Sequence, residues 1–379
     1  MRGARMSRDP WDAPLRRREL LQGGAGLALG LGLAGCGVGN QEKASKAQTE
    51  KVVKAEPDGD LVYFNWSEYL EPKLVKAFEK QYGVKVRESN FDSMQGMMAK
   101  LRSGNRYDII VPTAEWADRL IKANQLLRID LGQIPNAEMV YDYFAKPWYD
   151  TGADHTVPYA MYASGIIYRA DKIKDMQGSW NDMVNATASG RAYLLDDFQE
   201  VIGAGNLVNG AELNSVDAAD VDKAKEWALN VKPHLRGFST DDVQNMVGGN
   251  AWIHHGWNGD VVNIRNQVDN PDAFTFQKCS EGIPVGTDCL AIPANAEHPG
   301  TALTFMNFIL DPENAAKNIE YMGYPMPYKG PDDTFAGLVK DDPTINVTVD
   351  DLQNGQQFEN LSADGRRLWD QTWTEIKAA

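Results

Sequence analysis

The sequence predicts an α/β protein with two lobes and a cleft between them. Between residues 61 and 112, short apolar strands alternate with amphipathic helices, which is typical of an open sheet of mainly parallel strands. Three later segments, residues 157–162, 165–168 and 289–293, are apolar and extended, and we expect them to carry the chain between the lobes. A chain of 379 residues is long enough for two domains of ordinary size.

Residues 1–35 predict an export signal. Arg17 and Arg18 precede a run rich in Gly, Ala and Leu, and this run ends in Leu-Ala-Gly directly before Cys36. Basic residues, a short apolar run and a small-residue stop are typical of secretory signals, and the run is too short to cross a bilayer. The stop resembles a bacterial lipobox, which implies that Cys36 is lipidated, and the arginines resemble a twin-arginine signal. An ordinary signal without lipidation is the alternative.

Residues 36–59 are polar and rich in Lys, Gln and Ala, so we expect a flexible tether before the folded part. A first strand is predicted at residues 61–64. A helix then begins at Pro72, and Gly83 ends it. A second strand is predicted at residues 84–86.

The next helix is predicted to begin at Asp92, which forms a capping box with Gln95. Its apolar stripe of Met94, Met97 and Met98 indicates core packing rather than a ligand surface. A third strand follows at residues 108–112. In open α/β sheets, ligands bind beyond the carboxyl ends of the strands, and the segments that follow the first and third strands both contain aromatic residues and a carboxylate.

The composition argues against nucleic acid or an anionic lipid surface as a partner. The formal net charge is −15 at pH 7, and removal of the basic leader makes the remainder more negative. Phosphate backbones and anionic lipid repel such a protein. The charge suits a cationic ligand, although a solvated acidic surface explains it equally well. Ten tryptophans and fourteen tyrosines provide rings for binding sites.

Cys279 and Cys289 predict a disulfide. They are the two cysteines that remain after Cys36, and nine residues separate them. An exported protein meets an oxidising compartment, where such pairs form bridges. Two buried free thiols are the alternative. We expect no metal site, because no nearby histidine pair has the spacing of a zinc site.

The sequence contains no motif for a cofactor or for hydrolysis. A G-x-G-x-x-G match at residues 30–35 lies inside the export signal and therefore lacks the strand and helix that this chemistry needs. His254 and His255 are neighbours on a predicted strand, so they point to opposite faces and favour a structural role. Asp197 and Glu200 lie three residues apart at a helix start, where acids also stabilise the helix dipole, and a glycosidase-like pair has no other support.

Aromatic and acidic residues near strand ends predict a site for an aliphatic ammonium ligand. Aromatic rings pack against methylene groups and attract cations, while carboxylates accept hydrogen bonds from ammonium groups. The aromatic candidates are Trp66, Tyr69, Trp257 and Tyr324, and the acidic candidates are Glu68, Asp197, Glu200 and Asp288.

At these residues the sequence resembles the spermidine/putrescine-binding proteins of polyamine ABC importers. The similar segments, from about residue 61 to the C-terminus, are residues 64–69, 107–113, 195–200, 257–259, 288–293 and 323–325. The resemblance implies a two-lobed, hinged periplasmic-binding-protein fold of type II. It implies lobe 1 from residues 60–164 and 286–332, and lobe 2 from residues 165–285 and 333–379.

The resemblance also implies roles for the candidate residues. The four aromatic candidates correspond to an aromatic box, the four acids to groups that grip amines, and Ser67 and Thr113 to small polar wall positions. The sequence departs from the family pattern at three places that concern the ligand. Glu115 stands where the family commonly has an aromatic residue, and residues 285–287 contain no aromatic residue where the family often has one. Phe358 lies at or beside a position that contacts the ligand through a polar group in the family, and its neighbours are Gln356, Gln357 and Glu359.

We therefore expect a monomeric, lipid-anchored substrate-binding protein on the outer face of the cytoplasmic membrane or in the periplasm. It would capture spermidine or putrescine and deliver it to an ABC permease, without catalysis, cofactor or metal. A receptor for another cationic amine or an amino-acid derivative is the alternative, and a surface lipoprotein hydrolase is a weaker one.

Overall fold

The computed structural model describes residues 53–185 and 188–379. The export signal, Cys36 and the glycine-rich match lie outside these residues. The predicted tether extends to residue 59, but its described part is bound to the fold. Asp58 accepts hydrogen bonds from the backbone N–H groups of Gly300 and Thr301, at 3.2 and 2.9 Å. Order in the chain therefore begins earlier than the predicted Leu61.

The described residues contain a mixed ten-stranded sheet. Its order is β2-β1-β3-β9-β4-β7-β5-β6, with β10 paired to β9 and β8 paired to β4. The strands are β1 (Leu61–Trp66), β2 (Val86–Phe91), β3 (Ile109–Ile110), β4 (Thr156–Arg169), β5 (Ala192–Leu194), β6 (Leu235–Phe238), β7 (Ile253–Trp257), β8 (Phe274–Gln277), β9 (Pro284–Ala291) and β10 (Gln356–Gln357).

Helices cover this sheet. They are α1 (Pro72–Tyr82), α2 (Met94–Arg102), α3 (Ala114–Lys122), α4 (Phe198–Val208), α5 (Ala218–Val231), α6 (Asp242–Val247), α7 (Asp260–Arg265), α8 (Pro299–Ile309), α9 (Pro312–Met322), α10 (Pro331–Leu338), α11 (Val349–Asn354) and α12 (Ala363–Ala378). In the part of the chain that the structure describes, no helix combines the length and apolar character needed to cross a membrane.

The first elements follow the predicted order of strand, helix, strand, helix and strand. Helix α1 begins at Pro72 and ends at Gly83, whose φ of 71° is left-handed and suits glycine. Its apolar face packs Phe78 against Phe305 of α8, with ring centroids 5.0 Å apart. The methionine stripe of α2 lies in a core cluster with Phe64, as predicted.

Three local predictions need correction. Strand β2 runs from Val86 to Phe91 rather than over residues 84–86, because its pairing with β1 starts with Leu61 opposite Val86 and ends with Trp66 opposite Phe91. The cap of α2 is Ser93 rather than Asp92, since the Ser93 hydroxyl accepts a hydrogen bond from the backbone of Gly96. The third strand is only two residues long.

Strand β4 holds the two halves of the sheet together. The two extended segments predicted within residues 157–168 form this one continuous strand of 14 residues. Its first half, residues 156–163, pairs with β9, and its second half pairs with β7 and β8. The predicted lobe boundary after residue 164 lies within it. The lobe boundaries themselves stay a prediction.

The predicted disulfide is wrong, because Cys279 and Cys289 are buried free thiols. Cys279 packs in a core cluster with Trp180, whereas Cys289 packs with Ala114 and Tyr149 in another. The backbone of β9 rises about 3.3 Å per residue, so it carries Cys289 away from the loop that holds Cys279. Burial raises the pKa of both thiols, which keeps them protonated.

Candidate functional site

A cavity of about 300 Å³ lies between the two halves of the sheet. All twelve residues that the sequence proposed for ligand binding line it. They are Trp66, Ser67, Glu68, Tyr69, Thr113, Glu115, Asp197, Glu200, Trp257, Asp288, Tyr324 and Phe358. The structure therefore brings the predicted residues together around one cavity.

Strand ends and helix starts position these side chains. The segment that contains Tyr69 follows β1, and Trp257 ends β7. Thr113 caps the N-terminus of α3, which places Glu115 in the first turn of that helix. Asp197 caps α4 and accepts hydrogen bonds from the N–H groups of Gln199 and Glu200, at 2.8 and 3.3 Å. The predicted helix start at Asp197 is thus correct, and the same residue also lines the cavity.

Asp288 is a buried carboxyl group in the middle of β9. The Tyr69 hydroxyl donates a hydrogen bond of 2.7 Å to its Oδ2 atom. Its Oδ1 atom has no hydrogen-bond partner in the described part of the protein. Burial raises the pKa of Asp288 to about 8, and the nearby Glu115 adds to this shift. Oδ1 is therefore an acceptor that is available to a cation in the cavity.

Two further acids continue from Asp288: Glu115 lies near Asp288, and Asp197 lies near Glu115. The Thr113 hydroxyl donates a 2.6 Å hydrogen bond to Glu115. Burial raises the pKa of Glu115 to about 7, and Asp197 contributes repulsion. Burial raises the pKa of Asp197 to about 6, with repulsion from Glu200 as the next cause. Each acid makes ionisation of its neighbour less favourable, so the empty cavity holds protons near neutral pH.

Glu200 is held by three neighbours from the second half of the sheet. Its Oε1 atom accepts hydrogen bonds from the Ser164 hydroxyl at 2.8 Å and from the Trp257 indole at 3.2 Å. Its Oε2 atom lies 3.4 Å from Nε2 of His255. These contacts fix the carboxylate at the cavity wall.

The two histidines of β7 face opposite sides of the sheet, as predicted, and both are fully buried. His254 stacks on Tyr193 with ring centroids 5.2 Å apart, and burial lowers its pKa to about 3. His255 packs against Trp180 and Glu200. Neither histidine lines the cavity.

Aromatic rings form the walls of the cavity. Trp66 packs against Phe91 with centroids 4.5 Å apart, and Tyr69 packs against Tyr324 at 5.3 Å. Tyr162, which was not among the predicted residues, lines the cavity from β4 and contacts the aromatic-poor segment before Asp288.

Tyr162 supplies an aromatic ring beside residues 285–287, the segment in which the sequence has no aromatic residue. It lies opposite Gly286 in the pairing of β4 with β9. A Cβ atom at position 286 would overlap the Tyr162 phenol, so only glycine leaves room for this ring. Glycine within a strand is a sequence signal of such a close approach, and it could have pointed to Tyr162.

Two acids that were not predicted also line the cavity: Asp242, which is buried, and Asp260, which is half-buried. Their carboxyl groups contact each other, and burial is the main reason why both pKa values are raised, that of Asp260 to about 6. The Tyr324 hydroxyl donates a 2.9 Å hydrogen bond to Asp260. Asp260 lies three residues after Trp257, so proximity to a predicted site residue was an available signal. The other missed lining residues are Phe91, Asp92, Ser93, Met94, Trp116, Gln199, Thr240, Asp241, Val243, Gln244 and Asn263.

The lining is strongly acidic. Among the described residues that border the cavity, nine are Asp or Glu and none is Lys or Arg. Unpaired buried carboxylates are costly, and a cation with several ammonium groups removes that cost by pairing with them. The arrangement is therefore complementary to an elongated polycation with apolar methylene segments.

A second, wider cavity of about 750 Å³ adjoins this one at Glu68. Lys73, Lys317 and Asn314 border it, together with Tyr321. Of the twelve predicted residues, only Glu68 lies on its wall. Its mixed charge and single aromatic residue fit a polycation less well than the acidic cavity does.

Comparison with known proteins gives a consistent result. A family model described as bacterial extracellular solute-binding protein matches residues 73–347. The chain is 29% identical over 344 residues to the spermidine/putrescine-binding periplasmic protein 1 of Haemophilus influenzae, covering 89% of this chain and 94% of that protein. It is 28% identical over 329 residues to the spermidine/putrescine-binding periplasmic protein of Escherichia coli, covering 86% and 93%.

Solved structures share the fold. A chain from Listeria monocytogenes superposes with a TM-score of 0.77 at 26% identity, covering 84% of this chain and 99% of that one. The substrate-binding protein PotD of Streptococcus pneumoniae superposes with a TM-score of 0.73 at 23% identity and the same coverage. The predicted two-lobed, type II periplasmic-binding-protein fold is confirmed.

Substitution of Gly286 tests the close approach of Tyr162. We expect Gly286→Ala to lower the free energy of unfolding by about 1–3 kcal/mol, because the added methyl group overlaps the ring. The control is Gly237→Ala in β6, where the nearest atom, in Tyr193, is 3.9 Å away. Thermal melting of both variants checks this, and equal melting temperatures would contradict it.

The raised pKa of Asp288 predicts a pH-dependent stability difference. The native state holds this proton up to a pH of about 8, whereas an unfolded Asp loses it near pH 3.9, at about its ordinary pKa. The contribution of Asp288 to stability therefore falls as the pH rises through this window. Relative to Asp288→Asn, we expect the ligand-free parent to melt lower at pH 8.5 than at pH 5. A difference in melting temperature that is the same at both pH values would refute this assignment.

Proposed function

Because the chain belongs to the family of bacterial extracellular solute-binding proteins, we propose that it captures a polyamine and delivers it to the permease of an ABC importer. Spermidine and putrescine are the candidate ligands. The observation that carries the proposal is the cavity lined by nine acids and several aromatic rings, with no Lys or Arg on the walls that the structure describes. The names of the relatives from Haemophilus influenzae and Escherichia coli support the same ligand class.

The cavity offers a distinct partner for each part of such a ligand. Ammonium groups would donate hydrogen bonds to Asp288 Oδ1 and to the acids Glu115, Asp197 and Glu200. Methylene segments would lie against the rings of Trp66 and Tyr324. Every charged nitrogen then has a carboxylate or an aromatic face, as a desolvated cation requires.

Ligand capture would close the cleft by a shift of population. Asp288 lies in β9, and Glu115 lies in helix α3, which follows β3; both strands are in the first half of the sheet. Asp197 and Glu200 lie at the start of helix α4, which follows β5 in the second half. A ligand that contacts both halves binds best when they are close together, so it favours the closed state. No bond is made or broken in this cycle, and we propose a binding protein rather than an enzyme.

A receptor for another cationic amine is the second candidate. Glu115 stands where the polyamine-binding proteins commonly have an aromatic residue, and it lies in the cavity with a raised pKa. An added acid in place of a ring favours a ligand with more hydrogen-bond donors at that position.

We also propose that the protein is exported, lipid-anchored through Cys36 and active as a monomer. The family is extracellular, and the lipobox-like sequence before Cys36 supports the anchor. A tethered receptor stays close to its permease, which raises the local concentration of loaded protein.

Calorimetry with spermidine and putrescine tests the ligand. We expect Asp288→Asn to weaken binding about 30-fold to several-thousand-fold, since a buried ammonium loses its charged partner. Glu115→Gln should weaken binding comparably if Glu115 contacts the ligand, and less if it does not. The control Asp269→Asn removes one exposed charge that does not border the cavity and should bind like the parent. Failure of the parent to bind either amine would exclude the polyamine proposal.

Cell fractionation tests the anchor. Cys36→Ala removes the thiol that would carry the lipid, so we expect the variant to leave the membrane fraction. Cys279→Ala serves as the control, because this buried thiol lies in the folded domain. Equal membrane association of the parent and Cys36→Ala would show that Cys36 is not the anchor.

A further inference from the structure

We propose that Asn360 joins the two sides of the cavity through a clasp, and that this clasp sets how long a bound ligand is retained. The clasp consists of Asn360, Asp118 and Arg119. None of these three residues lines the cavity, so the inference concerns closure and goes beyond the ligand contacts. Only its measurements with amines rest on the proposed function.

The side-chain amide of Asn360 bonds to two charged groups. Nε of Arg119 donates a hydrogen bond of 3.0 Å to Oδ1 of Asn360. Nδ2 of Asn360 donates a hydrogen bond to Oδ2 of Asp118, and this oxygen also accepts one of 2.7 Å from Lys122. An amide carries a donor and an acceptor side by side, so it fits an acid and a base at successive positions of α3. Hydrogen bonds with charged partners are stronger than those between neutral groups.

Helix α3 is fixed to the first half of the sheet. It follows β3, and its Trp116 and Leu120 pack in a core cluster with Phe64 of β1. Asp118 is buried and Arg119 is half-buried on the same helix. This side of the clasp therefore belongs to the first half.

Asn360 is fixed to the second half. After β10, which pairs with β9, the chain crosses to the loop between α4 and α5. The side chain of Asn214 in that loop bonds to the backbone on both sides of Phe358, at 2.8 and 3.1 Å. The chain then enters α12, where Trp369 packs against Phe198 of α4 with ring centroids 6.2 Å apart. The clasp thus connects the two halves.

Both sides of the clasp also carry part of the cavity wall. Trp116 lies two residues before Asp118, and Phe358 lies two residues before Asn360, and both rings line the cavity. The Arg119 guanidinium lies over the Trp116 ring, 4.1 Å from its centroid, which is a favourable cation–π contact. The clasp therefore ties the wall formed by Trp116 to the wall formed by Phe358.

The clasp opposes repulsion between the two halves. Among the described residues, Asn360 is the one second-half side chain that hydrogen-bonds to α3. The charges that face each other here are alike: Asp197 acts on Glu115, and Arg366 of α12 acts on Arg119. Burial lowers the pKa of Arg119, and repulsion from Arg366 lowers it further. A cation in the cavity removes the repulsion between the acids, so the clasp and the cation favour closure together.

Retention of the ligand follows from the position of the clasp. A ligand enters while the halves are apart, so the clasp has little influence on the association rate. Escape requires the halves to separate, and separation breaks both hydrogen bonds of Asn360. The clasp touches no ligand, so its contribution is the same for every amine that the cavity accepts. It therefore sets the dissociation rate and leaves the choice between amines unchanged.

Stopped-flow kinetics of Asn360→Ala tests the clasp. This variant loses both hydrogen bonds, so we expect spermidine and putrescine to dissociate about tenfold faster. Their association rates should change less than about threefold, and the ratio of the two affinities should stay as in the parent. The control Asn354→Ala removes an exposed asparagine whose side chain bonds to a backbone carbonyl of its own helix, α11. It should behave like the parent.

An exchange of amide and carboxylate separates the clasp from a general loss of stability. Asn360→Asp places a carboxylate against Asp118, so it should raise the dissociation rates at least as much as Asn360→Ala. The addition of Asp118→Asn restores one amide and one carboxylate in exchanged positions, and Arg119 keeps its acceptor. We expect this double variant to return to within about threefold of the parent rates, which two independent losses would not do.

Unchanged dissociation in Asn360→Ala, an effect confined to one of the two amines, or failure of the double variant to recover would overturn the clasp. Retained binding of both amines shows that each variant is folded. Small-angle X-ray scattering of the ligand-free protein needs no amine. Asn360→Ala should have the larger radius of gyration, because the open form gains population, and equal radii would also overturn the clasp. A parent that binds neither amine would instead overturn the proposed function, so the two failures are distinguishable.

Discussion

The cavity depends on one electrostatic constraint. Nine carboxyl groups line it, and its described walls carry no basic side chain that could neutralise them. Each of them is close to another, and burial raises the pKa of Glu115, Asp197, Asp260 and Asp288. The empty protein tolerates them because they take up protons and accept hydrogen bonds from hydroxyl and backbone N–H groups. A cationic ligand can replace these protons as the partner of the carboxyl groups. The aromatic walls restrict the shape that such a ligand can have.

The sheet explains how residues so far apart in the sequence meet. Strands β1, β3 and β9 deliver Tyr69, Thr113 and Asp288 from one half, and β5 and β7 deliver Asp197 and Trp257 from the other. Strand β4 runs through both halves and is buried over most of its length. A movement of one half against the other must therefore bend or twist β4 rather than break an independent linker.

The sequence predicted the fold class and eight of the candidate residues because both depend on local patterns, whereas Ser67, Thr113, Glu115 and Phe358 came from the resemblance to polyamine-binding proteins. Apolar strands and capped helices give the order of elements, and Trp66, Asp197 and Trp257 lie at strand ends, where parallel sheets place ligands. Tyr162 was missed because it lies inside a strand, and its role depends on a glycine in another strand. Asp242 and Asp260 meet only through the packing of α6 against α7. The disulfide failed because counting cysteines carries no information about where β9 takes Cys289.

The fit of Tyr162 against Gly286 also has an evolutionary consequence. A side chain at position 286 and a tyrosine at position 162 exclude each other, because they occupy the same volume on adjacent strands. A descendant can therefore carry its aromatic ring on β4 or on β9, but the change from one to the other requires two substitutions. The intermediate with both rings overlaps, and the intermediate with neither leaves the wall open. The two positions should consequently covary among relatives, and the strand that holds the ring marks a lineage within the family.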